Sequence, residues 1–229
     1  MKHLKRHINI AINKEYIEIQ KYAFRKYKIK TVENKHTHLV PEELEQLERL
    51  SLTGKYMKLQ KSLDAFLFCC YAGMRYSDFT NLSKKNIVDI NQETWLIYKS
   101  VKTGTEVRLP LYLLFAGKGI VILNKYRNNL EVFFRLRDNS NINKDLIIIA
   151  KLAGLSKKNS FHTARHTNAT LLIYNGVNIT TVQKLLGHKS VKTTQVYTNI
   201  MDMTIVHDLE KMKQATLGIK KKTDNSFNK

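Results

Sequence analysis

Apolar residues recur every three or four positions over most of the chain, which is the spacing of one face of an α-helix. The first such run predicts a single helix over residues 1–22. A second helix is predicted to begin at Pro41, because proline and the acids that follow it favour a first helical turn. Residues 59–71 are strongly apolar, which predicts a buried central helix that ends at Gly73.

The pattern changes to that of a strand at residues 94–98, which are rich in β-branched and aromatic side chains. A turn at residues 102–105 and a returning strand over 106–109, ended by Pro110, complete a predicted hairpin. Lys102 is expected near the tip of this hairpin.

Helical patterns resume after the hairpin. The predicted helices span residues 120–134 after a break at 117–119, then 143–152, 160–174, 178–186, 191–197 and 201–212. The predicted fold class is therefore mainly α with a small antiparallel β-sheet (α+β). The expected organisation is a helix and a basic linker over residues 1–38, one domain over 39–215, and a Lys-rich disordered tail over 216–229.

The chain carries a large excess of positive charge. Among its 229 residues, 39 Lys and Arg stand against 19 Asp and Glu, which gives a net charge of +20. Such an excess favours a polyanionic partner, usually a nucleic acid, with a merely basic structural protein as the alternative. A membrane partner is not expected, because the sequence has no basic amphipathic helix, no lipid anchor and no run of about 20 apolar residues.

The two cysteines, Cys69 and Cys70, are adjacent within an apolar run. They are expected to be reduced residues of the core, as in an intracellular protein. The first residues have no signal-peptide pattern. The expected location is the cytoplasm, in association with the nucleoid.

Candidate chemistry lies in the C-terminal half. His162 and Arg165 are three residues apart, so they share one face of a predicted helix. His188 follows Gly187 at a helix end, and Tyr197 lies on the next short helix. A guanidinium group binds phosphate oxygens, a histidine moves protons and a tyrosine can be a nucleophile, so this set could attack a phosphodiester without a metal. A packed tyrosine and a capping histidine are the structural alternatives.

Two upstream residues could complete such a site. A phosphodiester gains charge in its transition state, and two guanidinium groups would neutralise that charge well. Arg75 follows the glycine that ends the central helix, where it could bind phosphate, form a structural ion pair with Asp78, or do both. Lys102 could protonate a leaving sugar 5′ oxygen, with an exposed turn lysine as the alternative.

Neither a metal nor a nucleotide cofactor is expected. His162 and His166 have the spacing of a zinc pair, but Thr163 stands where a metalloprotease carries glutamate, and no third ligand is evident. The segment Gly117-Lys-Gly119 lacks the spacing and the Ser or Thr of a P-loop.

Taken together, these segments resemble the tyrosine recombinases of the phage integrase family, particularly the integrases of mobile elements. The resemblance covers residues 40–212. Its boxes are Ala72-Gly-Met-Arg75-Tyr-Ser-Asp78, Lys102-Thr-Gly-Thr, His162-Thr-Ala-Arg165-His166, Leu185-Leu-Gly-His188 and Thr193-Thr-Gln-Val-Tyr197. Each box alone is weak, but the full set in this order is specific. Asn168 stands where the family usually has an apolar residue, a difference interpreted as neutral.

The resemblance implies a site-specific DNA recombinase, an integrase that cuts and rejoins DNA through a 3′-phosphotyrosine without ATP or metal. The implied site residues are Tyr197 as nucleophile, Arg75, Arg165 and His188 on the phosphate oxygens, Lys102 as general acid, His162 as general base and Asp78 as support for Arg75. The implied partners are double-stranded DNA, other copies in a tetramer on synapsed DNA, and accessory directionality or DNA-bending proteins. The free protein is expected to be a monomer, and residues 201–212 are expected to dock on a neighbouring subunit.

The N-terminal part departs from the family. A complete recombinase has a helical core-binding domain, of which residues 1–38 contain only what resembles the last helix and the linker. Weak DNA affinity and poor independent recombination are therefore expected. Two alternative functions follow: a DNA-binding remnant without independent recombination activity, and strand passage like that of a type IB topoisomerase.

Overall fold

Helices dominate this computed structural model, which describes residues 1–24, 27 and 37–197. The α-helices are α1 (Lys2–Asn13), α2 (Pro41–Glu48), α3 (Gln60–Ala72), α4 (Tyr76–Thr80), α5 (Lys118–Lys125), α6 (Leu130–Phe134), α7 (Asn139–Leu152), α8 (Phe161–Tyr174), α9 (Ile179–Leu185) and α10 (Lys192–Gln195). The strands are β1 (Ile87–Ile90), β2 (Glu93–Lys99) and β3 (Glu106–Pro110). Short 3-10 helices span Ile19–Lys21, Gly54–Leu59, Lys84–Asn86 and Leu114–Gly117. The predicted class, mainly helical with a small antiparallel sheet, is confirmed.

The chain divides into two compact units, Met1–Lys35 and His36–Lys229. In the first unit, the prediction of one helix over residues 1–22 is wrong, because α1 ends at Asn13. Glu15 adopts a left-handed φ of 61°, and the N–H of the residue after it donates to Ala11 O (2.9 Å). The hydrogen bond satisfies a carbonyl of the last helical turn, and the left-handed residue turns the chain away from the helix axis.

Helix α3 is the centre of the second unit. Its residues 62–72 are all buried, and it packs against α5, α7 and α8. The buried Asp64 accepts hydrogen bonds from Lys125 (2.9 Å) and Tyr126 (2.8 Å), so its charge is compensated. The helix ends at Gly73, whose left-handed φ of +66° turns the chain sharply, as predicted.

The three strands form one antiparallel sheet in the order β1–β2–β3. The predicted hairpin is present as β2 and β3, with Leu96 opposite Leu109 on the buried face. Strand β1 was not predicted. It joins β2 through Asn91 and Gln92, which both have positive φ values, 53° and 66°. Neither is a glycine, so the sequence lacks the usual signal of such a turn.

The segment after the hairpin contains two helices where one was predicted. A helix was expected over residues 120–134, but α5 ends at Lys125 and α6 begins at Leu130. Between them, the ring of Tyr126 stacks on Phe133 at 4.2 Å between centroids. Its hydroxyl donates to Asp64 on α3, so tertiary contacts of this side chain accompany the break between the two helices.

Several predictions fall outside the described residues. These are the helix over 201–212, the tail over 216–229 and most of the basic linker that ends at residue 38. Across the described residues, the helices are too short or too polar to cross a membrane.

Candidate active site

The first two turns of α8 carry three candidate side chains. The ring of Phe161 packs edge-on against Tyr76 of α4, with 5.4 Å between centroids, and fixes where α8 begins. From that start, His162 is exposed at the helix end, while Arg165 and His166 point into buried surroundings.

Among the described residues, Arg165 is the largest of the almost completely buried side chains, with 1% of its surface exposed. Its Nη1 donates to Gly73 O (2.7 Å) and its Nη2 to Leu186 O (2.5 Å), which ties α8 to the ends of α3 and α9. Burial, followed by the positive charge of Arg75, lowers the pKa of Arg165 to about 10. The group therefore stays charged at neutral pH, and a second guanidinium group lies close to it.

Arg75 lies at the start of α4 and is held by two groups. Its Nη1 lies 3.5 Å from Asp78 Oδ2 and 3.2 Å from Ser100 Oγ. Asp78 is completely buried and also accepts the backbone N–H of Val101 (2.8 Å). The structural ion pair weighed in the sequence analysis is thus present, and it also anchors the end of β2, where the hairpin turn begins.

That hairpin turn carries Lys102, which is exposed. The adjacent Thr103 hydroxyl donates to Gly187 O (3.1 Å), so the turn is attached to the segment that follows α9. A Cβ added to Gly187 would lie 2.6 Å from Val107 Cγ2, and its φ is +62°, so glycine permits this close approach. Lys102 is near enough to His188 for its charge to lower the pKa of that histidine.

His188 is buried behind this turn. Its Nδ1 lies 2.9 Å from the hydroxyl of Thr194, and its carbonyl accepts a hydrogen bond from Gln183 Nε2 (3.0 Å). Burial, with further contributions from Arg165 and Arg75, lowers the pKa of His188 to about 4. Its imidazole is therefore neutral at physiological pH.

Tyr197 follows α10 and is buried, with 5% of its surface exposed. Its hydroxyl lies 3.0 Å from His166 Nδ1. Burial raises the pKa of Tyr197, and the charges of Arg165 and Arg75 act in the opposite direction. The tyrosine is thus protonated at neutral pH, beside a histidine and in the electrostatic field of two guanidinium groups.

A sequence profile described as "Phage integrase family" matches residues 37–203. The chain belongs to the phage integrase family. Among curated tyrosine recombinases, that of Thermosipho africanus is 32% identical over 174 residues, which cover 71% of this chain and 59% of the relative. The tyrosine recombinase XerC of Rickettsia prowazekii is 28% identical over 192 residues, which cover 80% of this chain and 60% of the relative. The chain thus spans about 60% of the length of these relatives.

Solved structures share the fold. A lambda integrase tetramer bound to a Holliday junction superposes with a TM-score of 0.66 at 19% identity, covering 85% of this chain and 56% of the other. The XerA recombinase superposes with a TM-score of 0.58 at 21% identity, covering 91% of this chain and 73% of the other.

In this family member, the predicted site residues lie together around the two guanidinium groups. The charges of His162 and Lys102, like those of both arginines, lower the pKa of His188. Both arginines also act on Tyr197. Six residues between positions 75 and 197 therefore interact electrostatically at one place, where Arg75, Arg165 and Lys102 supply positive charge suited to hold a phosphate group.

Two polar contacts at the site were missed in the sequence. His166 was considered for a role of its own only through its zinc-like spacing, yet its Nδ1 lies 3.0 Å from the Tyr197 hydroxyl. Asn168 was interpreted as neutral, yet it is buried and donates to two carbonyls at the end of α3. A polar side chain at a helix position facing the core was the available signal, since such groups need partners.

In the structure, His162 and His166, whose spacing is that of a zinc pair, contact each other through their rings. Their rings pack edge to face, with 4.4 Å between centroids. Within residues 1–24, 27 and 37–197, no group of three or more His, Cys, Asp or Glu side chains is arranged to hold a metal ion.

The depressed pKa of His188 predicts a pH-dependent stability. The folded-state pKa lies near 4 and the ordinary value near 6.5, so the unfolded chain binds the proton more tightly. The stability that His188 contributes to the folded state is complete above pH 6.5 and is lost as the pH falls towards 4. Between pH 8 and pH 5 we expect His188 to account for about 2 kcal/mol of lost unfolding free energy.

Urea unfolding at the two pH values measures this loss. The control is His188→Gln, which cannot titrate, so its stability should change less between pH 8 and pH 5 than that of the wild type. Equal changes in both proteins would show that His188 is not the group responsible.

Proposed function

We propose that this chain is a tyrosine-type DNA strand transferase that cuts and rejoins double-stranded DNA at specific sites. The observation that carries the proposal is the buried Tyr197 hydroxyl, 3.0 Å from a histidine nitrogen and beside two guanidinium groups. Such surroundings supply a nucleophile, a proton acceptor and charge stabilisation at one place.

The two arginines are proposed to bind the nonbridging phosphate oxygens. Arg165 uses one N–H on each terminal nitrogen for a backbone carbonyl, so its guanidinium plane is fixed and other N–H groups remain for a ligand. Arg75 is held through a single nitrogen, Nη1, which contacts both Asp78 Oδ2 and Ser100 Oγ. Because both groups are oriented before DNA binds, little reorganisation is needed as charge develops in the transition state.

His188 is proposed to add a further hydrogen bond to the phosphate. The Thr194 hydroxyl lies 2.9 Å from Nδ1, where it can donate a hydrogen bond to the neutral ring. In that tautomer the proton is on Nε2, which is then a donor for a nonbridging oxygen.

The attack breaks one ester bond and forms another. The Tyr197 oxygen bonds to phosphorus at the 3′ side, and the bond from phosphorus to the sugar 5′ oxygen breaks. The tyrosine proton passes to His166, whose Nδ1 contacts the hydroxyl. The exposed His162, the general base implied by the resemblance, packs edge to face on the ring of His166. Lys102 gives a proton to the leaving 5′ oxygen.

Rejoining reverses these steps with a 5′ hydroxyl of a partner strand. The phosphotyrosine ester retains the energy of the original phosphodiester, so the exchange needs no ATP. We propose double-stranded DNA and further copies of the chain as partners. The lambda integrase tetramer on a Holliday junction supports this by its shared fold.

Covalent capture on nicked duplexes tests the proposal. Because the target sequence is unknown, the probe is a pool of nicked duplexes with randomised sequence around the nick. Cleavage beside the nick releases a short fragment, so rejoining fails and the adduct accumulates. We expect adducts that survive SDS, that share a sequence, and whose linked peptide contains Tyr197.

Other outcomes would identify the alternative functions. Salt-dependent DNA binding without any adduct would indicate a DNA-binding remnant. Relaxation of supercoiled DNA without sequence preference would indicate strand passage like that of a type IB topoisomerase.

A further inference from the structure

We propose that Asn168 is a positioning residue that sets the geometry of the two phosphate-binding arginines. This inference rests on the proposed function, because it concerns the same phosphate site. Asn168 is buried, with 2% of its surface exposed. It lies on α8 three residues after Arg165, so the two side chains leave the same face of the helix towards the end of α3.

The amide of Asn168 completes the C-terminal end of α3. Its Nδ2 donates to Cys70 O (2.9 Å) and to Tyr71 O (3.0 Å). Carbonyls in the last turn of a helix have no partner within the helix, and buried ones need a donor from elsewhere. The next carbonyl with a donor from α8 is that of Gly73, which accepts from Arg165 (2.7 Å).

The amide oxygen packs closely against the glycine turn. A Cβ added to Gly73 would lie 2.5 Å from Asn168 Oδ1. The backbone of the turn therefore lies directly against the amide, and its φ of +66° is one that glycine adopts readily. Asn168 thus contacts the last turn of α3 through its Nδ2 and the glycine turn through its Oδ1.

This contact couples the two arginines. Arg75 comes two residues after Gly73, and Arg165 bonds to the carbonyl of that same glycine. A shift of the turn would move both guanidinium groups relative to each other and to a bound phosphate. Catalysis is sensitive to such shifts, since a displacement of about 1 Å can reduce a rate by about 10²-fold.

The test uses Asn168→Leu, which keeps the branching of the side chain but has no donors, and Asn168→Ala, which also removes its bulk. Adduct formation is measured on two nicked duplexes that carry the sequence recovered in the capture experiment. One has a phosphodiester at the scissile position and the other has an uncharged methylphosphonate there. The uncharged linkage depends less on the guanidinium groups. DNA affinity and the melting temperature are measured alongside, with rates taken well below each melting temperature.

We expect both variants to slow adduct formation on the phosphodiester by about 10- to 100-fold. On the methylphosphonate, the decrease relative to wild type should be several-fold smaller, and DNA affinity should change little. A merely structural role would lower both rates in proportion to the folded fraction.

Thr170→Val is the matched control on the same helix. Thr170 is also buried, and its hydroxyl has no hydrogen-bond partner among the described residues. The valine variant should therefore react like wild type on both substrates. Equal losses on both linkages in the Asn168 variants, or no loss at all, would overturn the inference. Absence of an adduct with the wild type would instead count against the proposed function.

Discussion

Tyr197→Phe is expected to abolish the covalent adduct on nicked DNA while the chain stays folded and still binds DNA. The substitution removes the oxygen that would bond to phosphorus, and no neighbouring group can replace it at that position. The ring belongs to the hydrophobic core, so its packing is retained. Loss of the hydroxyl contact with His166 should cost only about 1 kcal/mol of unfolding free energy.

Tyr98→Phe is the matched control for this experiment. Tyr98 is buried and lies near both arginines, but its hydroxyl has no hydrogen-bond partner in the described part of the chain. Its removal should leave adduct formation unchanged. Adduct yields on denaturing gels, together with DNA affinity at several salt concentrations, measure the comparison. If Tyr197→Phe still formed the adduct, another residue would be the nucleophile.

The residues that the sequence placed correctly are those whose environment is set locally. Gly73 was predicted to end the central helix because it follows a long apolar run, and its left-handed φ of +66° agrees. The hairpin was predicted from β-branched and aromatic residues at 94–98, and it holds Lys102 at its turn. In both places the local pattern and the tertiary packing favour the same structure.

The features that the sequence missed depend on contacts between distant segments. His166 reaches Tyr197 across 31 positions, and Asn168 reaches Cys70 across 98. Contacts between residues so far apart leave no periodic pattern in the sequence. Helix α1 was predicted too long for a related reason: its apolar spacing continues past Asn13, although the chain turns there. Apolar spacing shows which face would be buried, but it does not show where the backbone turns.

Arg165→Lys is expected to reduce adduct formation by about 10²- to 10³-fold, although it conserves the charge. The guanidinium group donates to Gly73 O and Leu186 O from two separate nitrogens. A lysine carries its three N–H donors on a single nitrogen, so it cannot reproduce the planar fork that reaches two separate carbonyls and a phosphate. One buried carbonyl would lose its donor, so unfolding free energy should also fall by about 1–3 kcal/mol.

Single-turnover rates on the captured substrate and urea unfolding measure the two effects. Arg49→Lys is the matched control, because Arg49 is exposed at the end of α2 and pairs with Glu45 on that helix. Exposed ion pairs contribute little to stability, so this variant should keep both the rate and the unfolding free energy. If Arg165→Lys reacted as fast as Arg49→Lys, then its charge alone would suffice at this position. The fixed guanidinium plane, and with it the carbonyl contacts that orient Arg165, would then have no part in catalysis.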